Sequence, residues 1–126
     1  MLFRQLFERD SSTYTYLIAR RAGGEALLID PVRAELSQYL RLIDELDLRL
    51  VFAIDTHVHA DHITALGDLR SETNCATLMG AQSKADCVSR KISDGERLRI
   101  DGLELRAVHT PGHTSDSYSF VMDDRV

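Results

Sequence analysis

Leu50-Val51-Phe52-Ala53-Ile54-Asp55-Thr56-His57-Val58-His59-Ala60-Asp61-His62 is the stretch on which the fold turns. Its first five residues are an unbroken apolar run, long enough for a strand covered on both faces and too short for a helix of its own. The next eight residues are abruptly more polar and carry three of the chain's five histidines within six positions. From background usage of His and Asp, a chance match to H-x-H-x-D-H in a chain this size is on the order of 1 in 10,000. The position of the cluster supplies a reason for it, because α/β folds mount ligand-binding groups on short loops just past the C-terminal ends of buried strands. His57 and His59, two apart in extended chain, point to one side, and Asp61 and His62 come round as the backbone turns into a following helix. Imidazole nitrogen with carboxylate oxygen is the donor set of zinc, iron and manganese. The plainer reading, a solvated loop in which Asp61 caps the next helix, accounts for the aspartate and leaves three histidines without a role.

On the N-terminal side of this stretch, Leu2 to Glu8 and Thr13 to Ala19 are rich in β-branched and aromatic residues, with turn composition between them, and predict a hairpin. Gly23-Gly24 leads into a third strand, Glu25 to Ile29, stopped by Asp30-Pro31 because proline biases its predecessor away from helix. From Ala34 to Leu48 the period changes: Leu36, Leu40, Ile43 and Leu46 fall on one face of a helix. On the C-terminal side, Ile63 to Leu69 predicts a short helix, Cys75 to Met79 a strand, and Ala81 to Ser89 a second short helix. Arg97 to Ile100, Leu103 to Val108 and Ser117 to Met122 alternate as strands, the first two joined at Asp101-Gly102. Strands grouped at both ends with helix between them predict sheets with helices packed outside.

A second chemical feature is Thr110-Pro111-Gly112-His113-Thr114, directly after an alternating strand. Proline fixes one backbone angle and glycine permits a tight reversal, so a constrained turn delivers the His113 imidazole at a strand end. Alone this would be an ordinary loop; beside the first cluster it supplies the distant ligand that a metal site needs. His109 ends the strand itself and reads as a packed or ligand-supporting residue. Tyr14 and Tyr16, at strand period, read as sheet packing. Ser115, Asp116 and Ser117 suit either a loop near the metal or backbone hydrogen bonds, and the sequence leaves that choice open.

The 126 residues, 44% hydrophobic and 28% charged, have the size and mix of one globular domain. No apolar run approaches the roughly 20 residues that span a bilayer, and no cationic stretch followed by an apolar one opens the chain, so neither a membrane nor a signal peptide is expected. With 15 basic against 20 acidic residues the net charge is -5 and the Lys and Arg are scattered, which excludes a nucleic-acid partner. Cys75 and Cys87 form no CxxC pair; spacing permits a bridge or free thiols, and reduced thiols in a cytoplasmic setting are the default.

H-x-H-x-D-H after a hydrophobic strand, with TPGHT further along, resembles the metallo-β-lactamase superfamily. That resemblance implies an α+β fold, an αββα sandwich with metal at one edge of the two sheets. The wording THVHADHIT at 56–64, TPGHTSDSYSF at 110–120 and the hairpin leading into LLIDP at 27–31 are similar to the persulfide dioxygenase branch, over the whole chain. Carried onto matching positions, the resemblance implies one Fe(II) per chain held by His57, His113 and a later aspartate, a 2-His-1-carboxylate face with positions left for substrate and oxygen. It implies a sulfur dioxygenase in the full-length form, converting glutathione persulfide and O2 to sulfite and glutathione, with His59, Asp61 and His62 orienting the ligands and bound water or substrate. In hydrolase relatives of the glyoxalase II type, the same residues hold two zinc ions and a metal-activated hydroxide attacks a thioester; there His59, Asp61 and His62 serve the second metal.

The family's third iron ligand sits in a Gly-Asp motif after the turn equivalent to Asp123-Asp124, and this sequence ends at Val126. The resemblance therefore implies that residues 1–126 are the N-terminal part of the sandwich, an incomplete domain. Asp123 and Asp124 themselves read as an exposed hairpin turn. From a different class, the alternative reading is a catalytically silent metal-binding or interaction module, since half a sandwich presents an open sheet edge. Homo-oligomer formation is left open.

Overall fold

The computed structural model describes residues 1–57, 64–83, 88–112 and 116–122. The opening hairpin is present as β1 (Leu2–Glu8) and β2 (Thr13–Ala19), paired antiparallel with Phe7 opposite Tyr14. The Glu8 carboxylate closes its turn by accepting from the backbone N–H groups of Asp10 and Ser11. β3 (Glu25–Ile29) continues antiparallel, and the direction then changes: β4 (Arg49–Ile54), β5 (Ala76–Gly80) and β6 (Arg90–Ile92) all run parallel to β3. The six strands follow chain order across one sheet, while β7 (Arg97–Ile100), β8 (Leu103–His109) and β9 (Tyr118–Met122) form a second, antiparallel sheet.

Side-chain alternation divides the interior in two. Leu17, Ala19, Ala26, Leu28 and Ala53 face the helices, against Tyr39 and Ile43 of α1 (Leu36–Glu45) and Leu66 and Leu69 of α2 (Leu66–Thr73). Ile18, Leu27, Ile29, Ile54 and Leu78 face the second sheet, against Leu98, Ile100, Leu105, Ala107 and Tyr118. The first sheet is thus buried on both faces, which is why its central strands read as continuous apolar runs. The β3–β4 register shifts between Ala26 and Leu27, which oppose Leu50 and Phe52. Val51 is the extra residue, so Val51 and Phe52 both lie on the inter-sheet side before alternation resumes. Among the described residues the order is helices, sheet, sheet, an α+β sandwich.

Three expected elements moved. The predicted helix at Ala34 to Leu48 is a short 3-10 turn at Arg33–Glu35 followed by α1, with Arg49 already in β4. Backbone bonds to the preceding loop, Ala65 N–H to Pro31 O at 3.1 Å and a bridge between Val32 and Thr64, delay the next helix to Leu66. It ends where Asn74 takes a left-handed conformation. The helix expected at Ala81 to Ser89 is not formed at its described ends. Ala81 N–H bonds Ile92 O at 2.7 Å, and the Ser89 hydroxyl accepts from Thr77 N–H at 2.8 Å. Long-range partners take the groups a helix would use, and residues 84–87, with Cys87, lie outside the described set. The short β6 went unpredicted because Arg90-Lys91-Ile92 has no strand signature; pairing with β5 creates it.

Candidate metal centre

Because β3 and β4 are parallel neighbours, their C-terminal ends open on one edge, placing Asp30 beside Asp55, Thr56 and His57. Asp30 has φ of 56°, a left-handed conformation that a non-glycine residue adopts only when its surroundings hold it. Its N–H bonds Ile54 O at 2.7 Å, and its carbonyl accepts from the Thr15 hydroxyl at 2.8 Å. Its carboxylate accepts from Thr56 N–H at 2.7 Å and from the Thr56 hydroxyl at 2.8 Å. The same hydroxyl stands 2.9 Å from His57 Nδ1. Asp55, 3% exposed, has its N–H on Leu78 O of β5 at 3.1 Å.

The second sheet brings Thr110 and Ser117, which flank residues 113–115, to the same edge. Thr110 N–H bonds Ser117 O at 2.9 Å. The next residue, Tyr118, donates its N–H to Thr56 O at 2.8 Å. One backbone bond thus ties the residue after Ser117 to the residue immediately before His57. Tyr118 is 4% exposed; its phenol donates to Gln82 Oε1 at 2.6 Å and its ring lies 5.2 Å from that of His109. Burial, opposed in part by the Gln82 hydrogen bond, pushes the Tyr118 phenol above its ordinary pKa. At the opposite end of β3 the sheets are joined again, by Glu25 N–H to Asp101 Oδ2 at 2.7 Å and Asp101 N–H to Glu25 Oε1 at 2.9 Å.

Of the residues predicted from sequence, His57 is where expected, at the carboxyl end of an interior strand. His59, Asp61, His62 and His113 lie outside the described residues, as do Ser115, Asp123 and Asp124. Among the described residues, no group of three His, Cys, Asp or Glu side chains is arranged to hold a metal ion. His109 packs on Tyr118, in keeping with its reading as a packed or ligand-supporting residue, and Tyr14 and Tyr16 pair with Phe7 and Phe3. Cys75 is a buried free thiol whose pKa burial pushes up, the behaviour of a small core residue rather than a nucleophile. Sequence reasoning missed Asp30, Thr56 and Tyr118 as parts of the site. Asp30 read only as the stop of a strand, and nothing local signals that it reaches Thr56.

His57 fits a metal-binding role. A coordinating imidazole commonly has one nitrogen held by a hydrogen bond and the other on the ion, and Thr56 provides the first of these. Beside it, a cavity of about 340 Å3 lies between the sheets, with Asp30, Thr56 and Ser119 among its polar lining and Phe3, Ile18 and Met122 among its apolar walls.

Residues 9–86 match the family model of the metallo-beta-lactamase superfamily. The mitochondrial persulfide dioxygenase ETHE1 of Mus musculus is 41% identical over 130 residues, covering 99% of this chain and 49% of the relative. The Homo sapiens protein of the same name is 42% identical over 129 residues, covering 98% and 49%. Among solved structures, ETHE1 from Myxococcus xanthus superimposes with a TM-score of 0.90 at 44% identity, over 97% of this chain and 54% of that one. The chain spans about half the length of the curated relatives it matches.

Proposed function

Starting from a chain that belongs to the metallo-beta-lactamase superfamily, we propose that the protein is a persulfide dioxygenase whose single Fe(II) is held by His57, His113 and a carboxylate. The reaction is glutathione persulfide plus O2 and water to glutathione, sulfite and two protons. The terminal persulfide sulfur is oxidised, its bond to the glutathione sulfur breaks, and O2 is the oxidant. When bound, the Fe(II) supplies the redox chemistry that brings O2 and the sulfur together. The observation that carries this reading is the Tyr118 N–H to Thr56 O bond, which supports convergence of the two histidine turns on one edge. ETHE1 relatives at 41–42% identity favour sulfur oxidation over other chemistries of the superfamily.

The chain's own residues hold and orient. Thr56 holds the Nδ1 edge of the His57 ring, and Asp30 in turn fixes Thr56. His59, Asp61 and His62, in this reading, surround the two ligands and position water and substrate by hydrogen bonds. The apolar side of the inter-sheet cavity limits water beside the reacting sulfur. The activity belongs to the whole protein, and the test uses it whole. Loaded anaerobically and given glutathione persulfide, it is expected to hold near one equivalent of iron and to take up O2 with release of sulfite. Near two equivalents of zinc with thioester hydrolysis and no O2 uptake would replace the reading with a glyoxalase II-type hydrolase. Bound metal with neither reaction would leave a silent metal-binding module.

A further inference from the structure

Hydrogen bonds have direction, and one buried set in this molecule can be assigned proton by proton. Val32 N–H donates to the Tyr39 phenol oxygen at 3.0 Å. Tyr39 Oη also stands 3.1 Å from the Thr15 hydroxyl. Thr15 is 2.8 Å from the Asp30 carbonyl, a group that only accepts, so the Thr15 proton lies there. Thr15 oxygen is then the acceptor from Tyr39. The three donors run from Val32 through Tyr39 and Thr15 and end on the Asp30 carbonyl. Tyr39 and Thr15 are each 1% exposed, so water does not replace either of them.

Asp30 receives this chain through its backbone and passes orientation on through its side chain. With its N–H and C=O both engaged and its backbone left-handed, its carboxylate meets the Thr56 N–H and the Thr56 hydroxyl. A hydroxyl has a single proton. Spent on the carboxylate, it leaves Thr56 Oγ1 only as an acceptor toward His57 Nδ1 at 2.9 Å. Nδ1 must then carry the hydrogen, and the ring's lone pair falls on Nε2.

We infer that Asp30 and Thr56 form a relay that holds the neutral His57 imidazole in its Nδ1–H tautomer, with the lone pair that coordination needs on Nε2 before any metal arrives; donors converge on Asp30 from both sides, and Tyr39 and Thr15 brace it through its backbone carbonyl. These are positioning residues: none is required to touch metal or substrate. The relay gives Tyr39, remote in sequence and on a helix, a part in metal binding. It draws on the reading of His57 as a ligand only for its purpose; the tautomer itself is a property of the metal-free protein.

The experiment is a long-range proton–nitrogen correlation spectrum of the metal-free protein, labelled with 15N at histidine and recorded at a pH where imidazole is neutral. His57 is assigned by comparison with His57→Gln. The expected wild-type pattern is Nδ1–H. Thr56→Val is expected to shift the His57 population toward Nε2–H and to weaken Co(II) binding, followed by its visible absorption, by about 10-fold or more. Thr56→Ser, which keeps the hydroxyl, is expected to restore both. Tyr39→Phe and Thr15→Val are expected to produce the same tautomer shift in smaller degree. An Nε2–H pattern in the wild type would overturn the inference whether or not any variant folds, and so would an unchanged tautomer in folded Thr56→Val. Should the Nδ1–H pattern hold while His57→Gln still binds Co(II) at full strength, the relay stands and the proposed metal centre fails.

Discussion

Gly80 ends β5 with its backbone against the Tyr118 ring, and replacing it with alanine tests how the two sheets are held at the site. A Cβ at this position would lie 2.1 Å from Tyr118 Cε1 and 2.3 Å from Cδ1. An ordinary carbon–carbon contact is about 3.5–4.0 Å, so the two groups must separate by roughly 1.5 Å. Tyr118 has little room to yield. It is 4% exposed, its hydroxyl is bonded to Gln82, its ring packs on His109 and its N–H is bonded to Thr56. If the strands part to make room, overpacking costs about 1–3 kcal/mol. If the ring is expelled, the loss approaches the roughly 3–5 kcal/mol of truncating a buried aromatic. Gly80→Ala should therefore destabilise by about 3 kcal/mol, read as a lower urea midpoint at unchanged slope. Because Tyr118 N–H braces Thr56, metal affinity should fall as well. Tyr118→Leu should make Gly80→Ala much less costly, a coupling of at least about 1 kcal/mol in a double-mutant cycle. A cost below about 0.5 kcal/mol, or additive double-mutant losses, would refute this account of the contact.

Under the mononuclear reading, His57→Ala or His113→Ala should empty the site while His62→Ala retains most of the iron, measured by metal analysis of the whole protein; equal loss from His62→Ala would show the mononuclear assignment wrong. Tyr39 and Tyr118 have pKa values raised chiefly by burial. Their contribution to stability should be intact below the ordinary phenol value of about 10 and lost as pH rises from there through the raised values, so urea midpoints should fall as pH rises above about 10, less steeply in Tyr39→Phe. Asp101 is held below the usual carboxylate range first by the Glu25 N–H, and Glu104 first by its hydrogen bond from Arg97. That contribution should be present at neutral pH and lost as pH falls below about 4, a loss that Glu104→Gln should reduce in acid titrations followed by circular dichroism.

Local pattern was a good guide where one physical requirement dominates. The alternation of β2 and β3 follows from placing a sheet between two apolar layers, and Asp101-Gly102, with φ of 49° and 81°, makes the tight turn its composition predicts. The run Leu50 to Ile54 had to be an interior strand because no other short element buries five apolar residues in succession. Ala81 to Ser89 failed as a helix because its described ends bond to β6 and Thr77, partners that exist only once the sheet is assembled. Tyr39 sat unremarked among the leucines of α1, although it is the helix's most buried side chain. Its apolar ring and its position explain the burial; its hydroxyl matters only because Thr15 and Val32 are brought to it.

By itself, the sequence determined which chemistry is available and roughly where: an imidazole and carboxylate cluster after a buried strand, a second histidine turn, and no membrane-length apolar segment. Those are properties of residue type and short-range spacing, and they survive any uncertainty about packing. Tertiary structure decided which side chains govern the cluster. Asp30 reaches Thr56 across 26 positions of chain, Tyr39 reaches Thr15 across 24, and Tyr118 reaches Thr56 from another sheet. Each of these bonds joins strands or a helix whose adjacency is set by burial of the two apolar layers. Hydrophobic pattern is periodic and legible along the chain; the proton carried by His57 depends on partners that only the folded sheet brings within three ångströms.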